Sequence, residues 1–305
     1  MRKLVLLTAV LVTIPATAMA SDLVELLERG HEASYSAEQI ITCSNPGGIA
    51  DAVVRLSQSG GDLHVAAPVS SDIEITTGYG GWTLSQAGNV VSSTELDSSE
   101  DPADPRYTVD EGTPAAFLGR RATQFEMRDG DLLRARLIFD NETGALLKAA
   151  TYTGDGEVYC ERRFITFDPT PPTIAMADVE SGNRLMRTDV ETELPEELAG
   201  FNRLDVYSDE DGFAFGYYSD GFFSFAIFET PSVVALAGAN QFQVDHGVYG
   251  VSYSPGQVTY VWETRSGGRA MIGDLPPDMH EAVLTGLPAP ERRGWLGRVW
   301  KSLFG

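Results

Sequence analysis

Ser219 lies in Gly216-Tyr217-Tyr218-Ser219-Asp220-Gly221, the nearest approach in this sequence to the G-x-S-x-G elbow of serine hydrolases. The spacing is wrong, and the run reads as a hairpin turn where the elbow requires a strand-to-helix turn, so a catalytic serine is not expected. A P-loop and a G-x-G-x-x-G opening a helix are both missing. The 44 acidic residues always offer carboxylate pairs for glycoside chemistry, but nothing picks out one pair. His31, His64, His246 and His280 are scattered, with no C-x-x-C or H-x-x-x-H spacing, so each is expected at a surface or interface and none as a ligand. Glu95, Asp97, Glu100, Asp101 and Asp104 crowd one loop. Such a cluster could bind Ca²⁺, yet it lacks the D-x-[DN]-x-[DN]-G pattern, and a solvated acidic loop is the expectation. Asn141-Glu142-Thr143 fits a glycosylation sequon, but a turn explains it fully. The sequence therefore points to no catalytic residue, no metal and no cofactor.

The remaining candidates concern binding and covalent staples. Phe213, Phe215, Tyr217, Phe225 and Phe228 suit an ordinary β core. The turn Tyr218-Ser219-Asp220-Gly221-Phe222-Phe223 is harder to bury entirely, and exposed aromatics mark interfaces, so these six residues are the candidate partner-binding site. From Gly294 onward, Trp295, Leu296, Val299, Trp300, Leu303 and Phe304 fill about half of a helix circumference. Arg298 and Lys301 fall on the other side, and Arg292 and Arg293 precede. Trp295, Leu296, Trp300 and Phe304 are thus candidate membrane-interface residues; docking back on the acidic protein is the alternative. Cys43 and Cys160 are the two cysteines. An even count in an exported chain suggests a disulfide, with two buried thiols as the alternative.

Export itself is read from the first twenty residues. Arg2 and Lys3 precede an apolar run, Leu4 to Ile14, too short to span a bilayer, and Ala18-Met19-Ala20 is an A-x-A cleavage site. Ser21 is the expected first mature residue, which places the protein in the periplasm or otherwise outside the cytoplasm. No cysteine follows the cleavage site, so a lipoprotein signal is not expected, and no later stretch is long and apolar enough to span. The formal charge is −22, and without the two basic residues of the leader 20 basic against 44 acidic residues leaves −24. That excludes general nucleic-acid binding, which requires clustered cations, and disfavours contact with anionic membrane over most of the surface.

The elements that must position these residues are mostly strands. Phe117 to Phe167 reads as four strands, Ala122–Met127, Leu133–Phe139, Ala145–Tyr152 and Val158–Phe167, joined by Asp- and Gly-containing turns. The period of two puts Phe125, Met127, Leu133, Ala135, Leu137 and Phe139 on an apolar face, with Arg134 and Arg136 opposite. A helix over Ser21–Ala33 and further strands precede this meander. Pro169, Pro171 and Pro172 then stop the sheet. The predicted organisation is a leader (1–20), a β domain (21–168), a Pro-rich polar linker (169–193), a small C-terminal β domain (194–287) with one helix over Met279–Leu284, and an aromatic-basic tail (288–305). The fold class is mainly β: a large curved, unclosed antiparallel sheet with helices, plus a smaller antiparallel domain with one helix.

Three runs carry a resemblance. Leu118-Gly119-Arg120-Arg121-Ala122 leads into a strand, Leu137 to Lys148 contains Asp140-Asn141-Glu142-Thr143-Gly144, and Tyr218 to Phe225 follows in the downstream domain. With the leader and the two-domain layout they resemble the MucB/RseB family of periplasmic sigma-E regulators, over about Asp22 to Gly286. The resemblance implies a large domain like the LolA-type lipoprotein carriers, with an unclosed sheet around helices and a cavity for acyl chains. It implies a small domain and interdomain cleft that contact the extracytoplasmic part of a membrane-bound anti-sigma factor. It also implies that binding shields this partner from proteolysis until a lipid signal intervenes, with no enzymatic activity. The acidity and the tail depart from the family. A lipid or lipoprotein carrier and an exported hydrolase with an unrecognised site are the alternative readings; a simple carrier does not require the second domain.

Overall fold

The computed structural model of the chain describes residues 21–59, 62–66, 73–78, 81–86, 89–95, 106–170, 186–187, 194–208, 214–230, 239–244, 247–265 and 267–290. They form two compact units, one ending before Met186 and the other beginning there. Both are built on antiparallel sheets, and neither sheet closes into a barrel.

In the first unit, α1 (Ser21–Glu32) leads into β1 (Ser34–Asn45), β2 (Gly48–Ser59), β3 (Asp62–Ala66), β4 (Ile73–Gly78), β5 (Gly81–Gln86), β6 (Asn89–Glu95), β7 (Thr108–Val109), β8 (Thr113–Phe117), β9 (Arg120–Asp129), β10 (Leu132–Asp140), β11 (Leu146–Tyr152) and β12 (Val158–Asp168). Their order is β6-β5-β4-β3-β2-β1-β12-β11-β10-β9-β7, with β8 also on β9. Successive hairpins run outward from β1, and β12 returns to close on β1, so the ends of the unit meet at its middle. The expected meander is present. One face is apolar: Ala37 opposes Phe167 and Leu56, Gln39 opposes Phe164 and Val54, and Leu137 opposes Phe125. Leu23 and Leu26 of α1 are buried with it.

The other face is a ladder of ion pairs. Arg55 meets Glu38, Glu161 lies between Lys148 (2.7 Å) and Arg163 (3.2 Å), and Glu126 lies between Arg136 (2.6 Å) and Arg128 (2.7 Å). The two halves of each bridge offset like charges that the register sets directly opposite, as at Lys148 and Arg163.

The face assignment of β10 needs one correction. The register slips between Leu133 and Ala135, where Leu133 opposes Arg128 and Ala135 opposes Met127. One extra residue flips the alternation. Leu133 therefore leaves the apolar face, and Arg134, expected outside, is buried.

The second unit comprises β13 (Met186–Arg187), β14 (Glu197–Leu198), β15 (Phe201–Ser208), β16 (Ala214–Ser219), β17 (Ser224–Thr230), β18 (Asn240–Val244), β19 (Gly247–Ser254), β20 (Gln257–Thr264), β21 (Gly267–Gly273) and α2 (Pro277–Thr285). The order is β13-β15-β16-β17-β21-β20-β19-β18, with β14 on β15. Pro277 opens α2, where a missing N–H costs nothing, and Gly286 ends it by donating to the Ala282 and Val283 carbonyls. Met279, His280, Val283 and Leu284 face inward. Tyr249, Tyr260 and Trp262 are buried, with ring centroids 5.4 Å apart for Tyr249 and Trp262.

Candidate functional site

The first two runs that carried the resemblance meet in space. β9 begins at Arg120, and the β10–β11 turn holds Asp140 to Gly144. Arg120 Nε donates to Asp140 Oδ1 at 2.8 Å and its Nη2 to Asp140 Oδ2 at 3.0 Å, a bidentate fork, while the same Nη2 reaches Glu142 at 2.8 Å. The Asn141 N–H donates to the Arg121 carbonyl (3.0 Å), and Thr123 Oγ1 to Asn141 Oδ1 (2.8 Å). Asp140 also accepts from the Thr143 N–H (2.9 Å) and hydroxyl (2.7 Å). Asp140 is only 1 % exposed. Burial opposes its charge, but the bonds from Arg120 and Thr143 outweigh that and hold the carboxyl below the ordinary aspartate range.

This node anchors α1 and the aromatic end of β12. Gly30 and Gly144 touch so closely that a Cβ on Gly30 would lie 2.5 Å from the Gly144 oxygen. Arg29 donates to the Asn141 carbonyl, and Gln58 of β2 donates to the Gly30 carbonyl, both at 2.5 Å. The Arg120 guanidinium sits 5.0 Å from the Phe167 ring centroid; Phe167 stacks with Phe164 (5.8 Å) and meets Tyr35 at a tilt (5.2 Å). Burial pushes the Tyr35 hydroxyl strongly upward, so it stays neutral. The node organises the unit and has no reactive geometry: each carboxylate oxygen of Asp140 is already bonded. Sequence reading found the two runs but not their pairing, since Arg120 and Asp140 stand at the open ends of the long β9–β10 hairpin, far apart in sequence.

Cys43 and Cys160 oppose each other in register on β1 and β12 and are joined, with an S–S distance of 2.06 Å.

The candidate partner-binding turn lies in the second unit, and its expected exposure is corrected. Tyr218, Ser219, Asp220, Phe222 and Phe223 are each no more than 5 % exposed, and Gly221 is buried with them. The turn satisfies itself internally. Asp220 Oδ1 accepts from the Phe222 N–H (3.1 Å) and the Phe223 N–H (2.9 Å), and Gly221 takes the positive φ of 94°. The Tyr218 ring stacks on Phe225 at 5.0 Å, and its hydroxyl donates to the Pro195 carbonyl at 2.7 Å. Ser219 Oγ donates to the Phe223 carbonyl (3.1 Å) and accepts from the Gly221 N–H (3.1 Å), a turn-capping role.

His280 departs from its expected surface or interface position: it is 2 % exposed, with the Tyr260 hydroxyl 2.9 Å from Nδ1. Its place one residue after Met279 on an apolar helix was the missed signal. Among the described residues, no group of three or more His, Cys, Asp or Glu could hold a metal. Trp295, Leu296, Trp300 and Phe304, and the acidic loop beyond Glu95, lie outside the described residues.

The comparison that bears on this architecture is structural. MucB, in its crystal structure, overlays at a TM-score of 0.56, covering 91 % of this chain and 100 % of that one at 18 % identity. The chain has a MucB-like fold. The match extends to MucB in complex with MucA(peri), at a TM-score of 0.52, 18 % identity and 90 % and 100 % coverage. It extends also to the Pseudomonas aeruginosa MucA/MucB complex, at 0.51, 18 % and 89 % and 98 %. No family model and no curated protein matches the sequence.

Proposed function

We propose that the protein is an extracytoplasmic negative regulator that binds the extracytoplasmic part of an anti-sigma factor and shields it from proteolysis. The observation that carries this reading is the extent of the MucB-like fold. It runs through both units, and two of the matching structures hold MucB with MucA. A carrier of the LolA type needs only the first unit, so the second, with its own sheet and helix, favours the regulator reading over a lipid or lipoprotein carrier. Regulation is then stoichiometric and not catalytic, in keeping with Ser219 Oγ being engaged in its own turn. A lipid or acyl ligand is the proposed signal for release.

Tyr218 to Phe223 act in this reading by shaping the second unit's sheet and not as an exposed hot spot, because their rings are internal. The mature protein should slow proteolysis of an anti-sigma ectodomain encoded beside it, in proportion to occupancy. Protection at strongly substoichiometric amounts, or no binding at micromolar concentration, would end the proposal.

A further inference from the structure

We propose that β18 is an interaction edge for a second copy of this chain, pairing antiparallel with its own counterpart so that the two second-unit sheets run on into each other. The main-chain groups point that way. Only residues 245 and 246 separate Val244 from its partner Gly247, so this pair exchanges N–H···O=C bonds. By alternation Phe242 with Tyr249 and Asn240 with Val251 do so too. The N–H and C=O of Gln241 and Gln243 therefore point away from β19, on the side of β18 that pairs with no other described strand. Natural sheets blunt such an edge with charge, proline or a bulge, and the first unit does so. In β8, Phe117 faces Arg120 across Leu118 and Gly119, so Ala116 and Pro114 are the residues turned outward, and the exposed Pro114 has no N–H to offer. β18 carries none of these devices: Asn240-Gln241-Phe242-Gln243-Val244 has no charge and no proline, and its register with β19 runs without a shift.

The occupant follows from the edge itself. Gln241-Phe242-Gln243 reads the same in both directions, so an antiparallel copy with Phe242 on the two-fold axis sets Gln241 opposite the partner's Gln243, and Gln243 opposite the partner's Gln241. These are the residues whose main-chain groups point outward, so each opposed pair exchanges both of its hydrogen bonds. Gln241 and Gln243 are exposed on one face, where their carboxamides lie across from each other. Phe242, half-buried with its ring 5.2 Å from that of Tyr260, meets the partner's Phe242 on the other face. Charge opposes the contact and marks it. Residues 186–290 hold 16 acidic and 4 basic residues, so two copies repel, and screening tightens the pair. A basic peptide added to the same edge would show the reverse.

The test uses the chain from Ser21 to Gly305. Sedimentation from micromolar to near-millimolar concentration should show a monomer–dimer equilibrium that shifts toward dimer as sodium chloride is raised. Gln243→Pro removes an N–H that the β18–β19 ladder does not use. The monomer should keep its thermal midpoint, while dimerisation weakens roughly ten- to a hundredfold through the bonds lost on both sides of the axis. The register is read separately. Chains carrying Gln241→Cys and chains carrying Gln243→Cys, mixed and oxidised, should cross-link to each other far faster than either does alone, since directly opposed Cα atoms about 5.5 Å apart suit a disulfide. That cross-link reports on the edge whether or not the proline variant folds. A monomer at every concentration overturns the proposal. So does a dimer that a folded Gln243→Pro chain still forms as tightly, a dimer that loosens as salt rises, or cross-linking indifferent to which position carries the cysteine.

Discussion

At His280, stability is coupled to pH. Burial pushes its pKa down to about 3, opposed by the Asp278 charge and a backbone bond at Leu275, against about 6.5 in an unfolded chain. Between those values the unfolded chain takes up a proton that the folded one refuses. Stability is therefore full above pH 6.5 and falls as pH drops toward 3, by about 1.4 kcal/mol for each unit once well below 6.5. Denaturant unfolding of the second unit should lose about 2 kcal/mol between pH 7 and pH 5. His280→Leu should flatten that slope, whatever it does to absolute stability through loss of the bond to the Tyr260 hydroxyl. An unchanged slope would mean that another group titrates. Cys43–Cys160 is the second residue-scale lever. The bridge joins residues 117 apart, and on the loop-entropy account it stabilises by roughly 4 to 5 kcal/mol. Reduced wild type and Cys43→Ala with Cys160→Ala should share a lower denaturant midpoint than the oxidised protein. The denatured, unreduced wild type should titrate no free thiol.

At the scale of elements, α1 is positioned by a glycine contact that helix propensity alone would oppose. Gly30 interrupts the last turn of a helix, and Gly144 adopts a φ of 73°. A Cβ on Gly144 would lie 2.2 Å from the Leu26 carbonyl oxygen, whereas one on Gly130, at a φ of 58°, meets nothing within 4 Å. Gly144→Ala and Gly130→Ala both carry a left-handed strain of about 1 to 2 kcal/mol. The excess loss in Gly144→Ala, read from thermal unfolding, isolates the helix contact; equal losses would mean that α1 is not held there. Asp140→Ala removes the fork to Arg120, and with Arg120 left partly solvated it should cost about 2 to 4 kcal/mol.

Much of this level was legible in the sequence. Alternation and Asp-Gly turns located most of the strands, and the Ser21 and Pro277 helices followed from apolar spacing and helix-start chemistry. What escaped reading was non-local. The two-residue strand β7, the edge strand β8 with Pro114, and β18 are too short or too polar for a period to register. The bulge at Arg134 and the fate of the Tyr218–Phe223 turn depend on neighbours from distant strands. A turn with two phenylalanines reads as exposed until Asp220 is seen to hold its N–H groups and Phe225 to receive the Tyr218 ring.

At the scale of the whole molecule, charge is the dominant unbalanced quantity. The formal −22 implies repulsion that folding concentrates, while the ladder of surface ion pairs supplies attraction. Each exposed pair is worth about 0 to 1 kcal/mol, and salt screens it. Salt screens the repulsion as well, and the uncompensated carboxylates outnumber what the ladder can offset. The net effect of salt should therefore be stabilising. The thermal midpoint of the chain from Ser21 should rise as sodium chloride is raised from about 0.01 M to about 0.3 M, a range over which the screening length contracts from roughly 30 Å to less than 8 Å. Removing residues 291–305 takes away four basic and one acidic residue and moves the charge from −24 to −27. The shortened chain should gain more from salt than the full one. A midpoint that falls with salt would show that the ion-pair ladder, and not the net charge, governs the folded state.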